Sequence, residues 1–244
     1  MELYAARGAV GQLEARLALA RGRARFEVVA ALAWHLRQRD TRRAEQFAAD
    51  ARELLPEAGP GRHADQARLT LARAECALLL ARIDEAGEQA ARAGESFAAL
   101  DDAAGVGDAA LLRARIAEAR GDRERELPCY REALDAYRHA GDPERIAHAR
   151  AAAMLASGFG DPAAMAAELE AIHAETHEPS PAVRAHLRFL DGVAAFQRGA
   201  FLEAVPALRA AALEAHECGL CEQGFRAEAG LVSAQSNLGD REAA

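Results

Sequence analysis

The chain has 244 residues, 51% apolar but only 5% aromatic, enough for a core but one built mainly on Ala and Leu. All 30 basic residues are Arg and 38 acids leave a net charge of −8, which argues against nucleic-acid binding by phosphate neutralisation and rules out a P-loop lysine or Schiff base. The start Met1-Glu2-Leu3-Tyr4 shows no secretory leader, no run approaches ~18 uncharged apolar residues, and Cys76, Cys129, Cys218 and Cys221 are too few for a disulfide scaffold, so a cytoplasmic protein without a membrane span is expected.

In chain order, residues 1–24 hold an N-terminal helix from Glu2 to Ala20, with Val10, Leu13, Leu17 and Ala20 at helical spacing. Helices then come in pairs. The spacing predicts 24–38 with 41–55, ending in the breaker run Pro56-Glu57-Ala58-Gly59-Pro60-Gly61. The next pair is 62–81 with 84–99, before a loop Asp101-Asp102-Ala103-Ala104-Gly105. Then follow 106–120 with 123–139, 144–157 with 162–176, 182–198 with 201–217, and a last helix over 221–238. Strand-like alternation is absent and no low-complexity linker interrupts the chain, so one continuous array over residues 25–244 is expected.

The pairs keep a beat. Short turns, often Gly-Asp, place their second residue at 40, 82, 122, 161, 200 and 240, steps of 42, 40, 39, 39 and 40 residues. A fixed period of this length is the mark of a stacked helical repeat. Small residues recur at matching places. Ala74, Ala114, Ala153 and Gly192 fall in the first helices, where Leu32 and Val232 depart. Ala44, Ala86, Ala204 and Ala244 open the second helices, where Glu126 and Met165 depart. Ala51, Ala93, Ala133 and Ala211 lie seven residues on, where Ile172 departs. A side chain larger than methyl would hold crossing helices apart.

With Tyr130 and Leu134 beside Ala133, these residues resemble the tetratricopeptide repeat, in a variant longer than the usual ~34 residues. The resemblance implies an all-α, right-handed helical-repeat solenoid of about twelve helices. A shorter phrase, Leu32-Ala33-Trp34-His35-Leu36-Arg37 with Asp40, Arg43-Ala44 and Ala48, resembles the N-terminal repeats that precede cyclic-di-GMP-synthesising (diguanylate cyclase) output domains of bacterial signalling proteins. No Gly-Gly-Asp-Glu-Phe signature occurs, so such a domain would lie outside this chain. Gly239-Asp240-Arg241-Glu242-Ala243-Ala244 reproduces a turn and the start of a second helix. The last repeat therefore reads as incomplete, to be covered by downstream sequence or by a second chain in a homodimer.

Chemistry-bearing motifs are sparse. His216-Glu217-Cys218-Gly219-Leu220-Cys221 has metal spacing, but zinc wants four ligands and no second Cys pair is in reach. A helix C-cap at Gly219 with two small packed Cys residues is the better reading. His173 and His177 sit four apart at the end of one helix, without a third ligand at fitting spacing. No cofactor, metal or active site is expected, and the chain reads as a non-enzyme.

What the tetratricopeptide resemblance implies instead is a concave groove formed by the first helices. Its positions fall on Phe26, Val29, Ala33, Leu36 and Arg37; Arg68, Leu71, Glu75, Leu78 and Leu79; Asp108, Leu111, Arg115, Glu118 and Ala119; Ala147, Arg150, Met154, Ser157 and Gly158; His186, Phe189, Val193, Phe196 and Gln197; and Arg226, Ala229 and Ser233. Among these, Met154, Phe189 and Phe196 would make an apolar floor, with Arg115, Arg150, His186 and Arg226 about it, suited to an amphipathic or acidic protein segment. An alternative places Phe189 and Phe196, seven residues apart, on the buried stripe of one helix. The expected function is a non-catalytic module that binds a protein or peptide, as the regulatory region of a bacterial signalling protein. The other reading is a small-ligand sensor domain of a transcriptional regulator.

Overall fold

The computed structural model describes residues 4–55, 61–157, 162–176 and 178–239. The breaker run at 56–60, the turn Gly160-Asp161, Gly158, His177 and the terminal residues 240–244 with Ala244 lie outside the described residues. Within them there are twelve α-helices and no strand: α1 (Arg7–Leu19), α2 (Gly22–Leu36), α3 (Thr41–Glu53), α4 (Arg62–Leu79), α5 (Ile83–Ala99), α6 (Ala103–Arg120), α7 (Arg123–Ala140), α8 (Pro143–Ala156), α9 (Pro162–Glu175), α10 (Pro181–Gln197), α11 (Phe201–Cys218) and α12 (Cys221–Asn237). The fold is all-α.

The chain divides into two compact units, Tyr4–Asp142 and Pro143–Ala244. The division falls in the turn Gly141-Asp142-Pro143, one of the breaks expected from sequence. In the first unit each helix packs on its chain neighbour, and α2 also touches α4, and α4 touches α6. In the second, α8 touches α10 and α10 touches α12. Within each unit the even-numbered helices thus form the more tightly drawn layer.

The recurring turn has one physical form. Residues 81, 101, 121, 141, 199 and 219 all take positive φ. Each is followed by a residue whose N–H reaches back five residues: Arg82 to Ala77, Asp102 to Phe97, Asp122 to Ala117, Asp142 to Tyr137, Ala200 to Ala195 and Leu220 to Ala215, at 2.8–3.2 Å. This closes the helix C-terminus and satisfies its last carbonyls. The Asp of the turn then caps the next helix: Asp40 accepts from Arg43 N–H, Asp102 from Gly105 N–H and Asp122 from Arg125 N–H. The preference for Gly-Asp follows, one residue ending a helix and the next starting another.

The small positions are where the helices close. Ala44, Ala51, Ala74, Ala86, Ala93, Ala114, Ala133, Ala204 and Ala211 have no exposed surface, and the departing Ile172 is equally buried. Glu126 and Met165, the other departures, are 6% and 9% exposed. Two details differ from expectation. Ala103, Ala104 and Gly105 belong to α6 rather than to a loop, because Asp102 caps the helix there. A Cβ at Gly105 would sit 2.3 Å from the Phe97 ring, and one at Gly107 2.3 Å from Tyr137, so these glycines make room for aromatic side chains. The N-terminal helix begins at Arg7, not Glu2, and Ala6 is extended (φ −60°, ψ 153°).

Ala81, like Asp101, holds a left-handed φ at its turn without being glycine, here 59°, a conformation that costs an L-residue roughly 1–2 kcal/mol. Ala81→Gly is expected to raise unfolding free energy by about 1 kcal/mol once glycine's greater freedom in the unfolded chain is set against that strain. Urea denaturation at neutral pH measures it, and an unchanged or lowered midpoint contradicts it.

Candidate functional site

The even-numbered layer of the first unit carries a buried charged cluster. Arg37 follows the end of α2, Glu75 lies on α4 and Arg115 on α6, and these three were assigned to one groove by the repeat register. The Arg37 Nε donates to Glu75 Oε2 at 2.5 Å and its Nη1 to the Trp34 carbonyl at 2.6 Å. Arg115 Nη1 donates to Glu75 Oε1 at 2.7 Å, and Gln38 Nε2 donates to the same oxygen at 2.8 Å. Arg37 is 2% exposed and Glu75 5%. The Arg37 guanidinium carbon lies 3.9 Å from the ring centroid of Trp34 and 4.5 Å from that of Tyr4. Register gave the three charges; Gln38, Trp34 and Tyr4 carry no local signal and were missed.

Electrostatics follow from this geometry. Burial opposes ionisation of Glu75, but Arg37, Arg115 and the hydrogen bonds from Gln38 and Arg115 outweigh it and hold the carboxyl at about 2. The next residue, Cys76, is pushed up to about 12 by burial and by the Glu75 carboxylate, which leaves it an inert core thiol. Burial, with Arg37 and Arg39 nearby, lowers His35 to about 4, and its Nδ1 is buried without a hydrogen-bond partner.

In the second unit the expected groove residues are distributed differently. Phe189 is 8% exposed and packs among Ala195, Ala204, Leu208, Ala211, Ala212, Ala227 and Ala234, with Phe196 at the edge of that cluster. Phe189 is therefore core rather than an exposed floor, because it lies on the helix stripe that faces α11 and α12. Phe196 is half-buried and edge-on to Phe201, centroids 5.2 Å apart. Met154 packs with a second cluster, that of Leu169, Ile172, Val183, Leu187 and Leu190. Arg150 is paired with Glu168 at 2.7 Å and Glu175 at 2.6 Å, and Arg226 with Glu222 at 2.9 Å. His186 is 6% exposed, stacked edge-on against His148 at 4.4 Å. Arg150 and Arg226 thus face carboxylates rather than standing as an open cationic rim. The first-repeat positions Phe26, Val29, Ala33 and Leu36 are likewise core.

The Cys-x-x-Cys segment is a helix junction. Gly219 caps α11 with φ 84°, Cys218 is buried with its Sγ directed at the Ala215 carbonyl at 3.4 Å, and His216 pairs with Glu228 at 2.9 Å. Among the described residues no three His, Cys, Asp or Glu side chains converge as a metal site, and no helix is long and apolar enough to cross a membrane.

No family model matches the chain, and no curated protein is similar to it. Among solved structures it is similar to the crystal structure of BtubC (BKLC) from P. vanneervenii, with a TM-score of 0.57 and 21% identity over 85% of this chain and 87% of that one. The likeness is one of helical fold.

Two predictions follow from the cluster. Glu75→Ala leaves two guanidiniums facing each other without their carboxylate, and is expected to cost about 3–5 kcal/mol, as when one partner of a buried pair is removed. Chemical denaturation reads it, and a loss under 1 kcal/mol would show that the pair is solvated. The second concerns acid. His35 has a folded pKa below its unfolded value of 6.5, so the unfolded chain takes up the proton first and stability falls as pH drops from about 6.5 to about 4. Glu75, also depressed, adds a further loss from about 4.5 down to about 2. His35→Gln is expected to abolish most of the upper limb, on the order of 3 kcal/mol, while leaving the lower one, as read from melting temperature against pH.

Proposed function

We propose that this chain is a non-catalytic, tetratricopeptide-like module that binds an extended segment of a protein partner on the α2, α4 and α6 layer, acting as the regulatory region of a bacterial signalling protein. The observation that carries the reading is the Arg37–Glu75–Arg115 cluster. Three first helices, each one repeat apart, contribute one charged side chain apiece to a single site. Buried ion pairs add little stability relative to apolar packing, so their presence in an Ala-built core favours a recognition role over a purely structural one. The shifted groups also speak for binding rather than acid–base catalysis. Glu75 stays ionised, Cys76 stays protonated and His35 stays neutral at pH 7, whereas a general acid or base works best with a pKa near the operating pH.

The test is selection of peptides from a random display library against the full chain, followed by hydrogen-exchange mapping. Selected peptides are expected to protect α2, α4 and α6. Arg115→Ala should weaken them roughly tenfold, the scale of losing one charge-assisted contact, with little change in melting temperature, since Glu75 keeps Arg37 and Gln38. Selection that yields no binders, or binders that protect only other helices, contradicts the reading.

A further inference from the structure

The segment Tyr4–Ala6 is held like a bound peptide. Tyr4, Ala5 and Ala6 precede α1, and two alanines in three would ordinarily lengthen that helix. The segment is not helical, with Ala6 at φ −60° and ψ 153°, and three consecutive residues beyond α2 each take one feature of it. Arg37 lies over the Tyr4 ring at 4.5 Å. Gln38 Nε2 donates to the Tyr4 hydroxyl at 3.3 Å. Arg39 Nη2 donates to the Ala5 carbonyl at 2.5 Å, and Ala5 is 4% exposed. An aromatic face, a hydroxyl and a main-chain carbonyl are features that any extended segment with a tyrosine offers.

The receiving side is built without Tyr4. Two in-plane donors of Arg37, Nε and Nη1, are taken by Glu75 and the Trp34 carbonyl, and the Trp34 ring packs on the guanidinium. Glu75 is in turn held by Arg115 and Gln38. The cation is therefore fixed before any ring lies on it, which lowers the ordering cost of binding. The Gln38 amide is oriented by the same carboxylate, since its NH₂ must face Glu75. Its Oε1 is left buried with no hydrogen-bond partner, an acceptor that a main-chain N–H of a better-fitting ligand would satisfy.

We propose that Arg37, Gln38 and Arg39, backed by Glu75, Arg115 and Trp34, form a binding site for an extended peptide carrying a tyrosine, and that Tyr4–Ala6 occupy it in cis. The proposal rests on the reading of the chain as a peptide-binding module and adds the ligand class and a built-in competitor. Tethering gives the cis segment an effective concentration in the millimolar range, so a partner must outcompete it, and its apparent affinity is reduced by the fraction of chain that is open.

The experiment uses the full chain and a fluorescein-labelled peptide Glu-Leu-Tyr-Ala-Ala-Arg, followed by anisotropy. Tyr4→Ala should bind the peptide at least about tenfold more tightly than wild type, the gain expected when a site closed nine-tenths of the time is opened. Tyr4→Leu, which keeps bulk but not the π-face, should do the same and serves if Tyr4→Ala fails to fold. Tyr4→Phe should stay near wild type. The peptide with alanine in place of its tyrosine should bind no variant. Folded Tyr4→Ala and Tyr4→Leu chains that bind the peptide no better than wild type overturn the proposal. So does equal binding of the alanine peptide. Library peptides that protect α2, α4 and α6 equally in wild type and Tyr4→Ala would leave the binding-module reading standing while removing the cis competitor.

Discussion

Everything in this fold depends on how closely its helices can approach. About a quarter of the chain is Ala, a residue that buries little apolar area of its own, so cohesion must come from dispersion between helices drawn together at methyl-sized contacts. The fully buried alanines at the crossings meet that requirement. Gly192 extends it to its limit: a Cβ there would lie 2.6 Å from Leu208 Cγ. Where a large side chain does enter, a glycine opposite yields the space, as Gly107 does for Tyr137. The aromatic is then used fully, since the Tyr137 hydroxyl reaches Asp108 at 2.9 Å.

This constraint explains why the charged cluster stands out. A core of methyl groups offers no polar atoms to solvate an ion, so each charge within it must be answered by another side chain. Glu75 answers two arginines with one carboxylate, and Gln38 supplies a further donor. Arg37 is completed by a carbonyl and by ring faces rather than by water. The arrangement places an always-charged, planar group against aromatic surfaces, where guanidinium performs better than ammonium would. In the second unit the polar residues are handled otherwise: Arg150 sits half-buried between Glu168 and Glu175, and His148 and His186 pack against each other.

The parts of the molecule that were readable in the sequence are those governed by local rules repeated at a period. Gly-Asp announces a helix end and a cap because φ and hydrogen bonding are decided within six residues. Alanines one repeat apart mark crossings, and the same register put Arg37, Glu75 and Arg115 on one layer. What escaped was decided by contacts between distant residues. Gly105 reads as loop from composition, yet Phe97 occupies the space of its missing side chain within α6. Tyr4 reads as helix, yet its ring is drawn to Arg37, thirty-three residues on. Phe189 failed as a groove residue because register fixes a helix face only to within a turn, and Leu208 with its surrounding alanines claims that turn for the core.

Repeat arrays couple only nearest neighbours for the most part, since each element touches those beside it. The Glu75 cluster joins three such neighbours, since α2 touches α4 and α4 touches α6. Arg37 arrives from α2 and Arg115 from α6, and both close on one carboxylate of α4. Arg37 and Arg115 therefore share one partner without an intermediate contact through α3 or α5. Coupling of this kind needs two arrangements with different affinity for a ligand, and the shared carboxylate supplies a means: any group that draws Arg37 away changes what Glu75 can give Arg115. Arg37 at the end of α2 and Arg115 on α6 are thus joined through one carboxylate of α4.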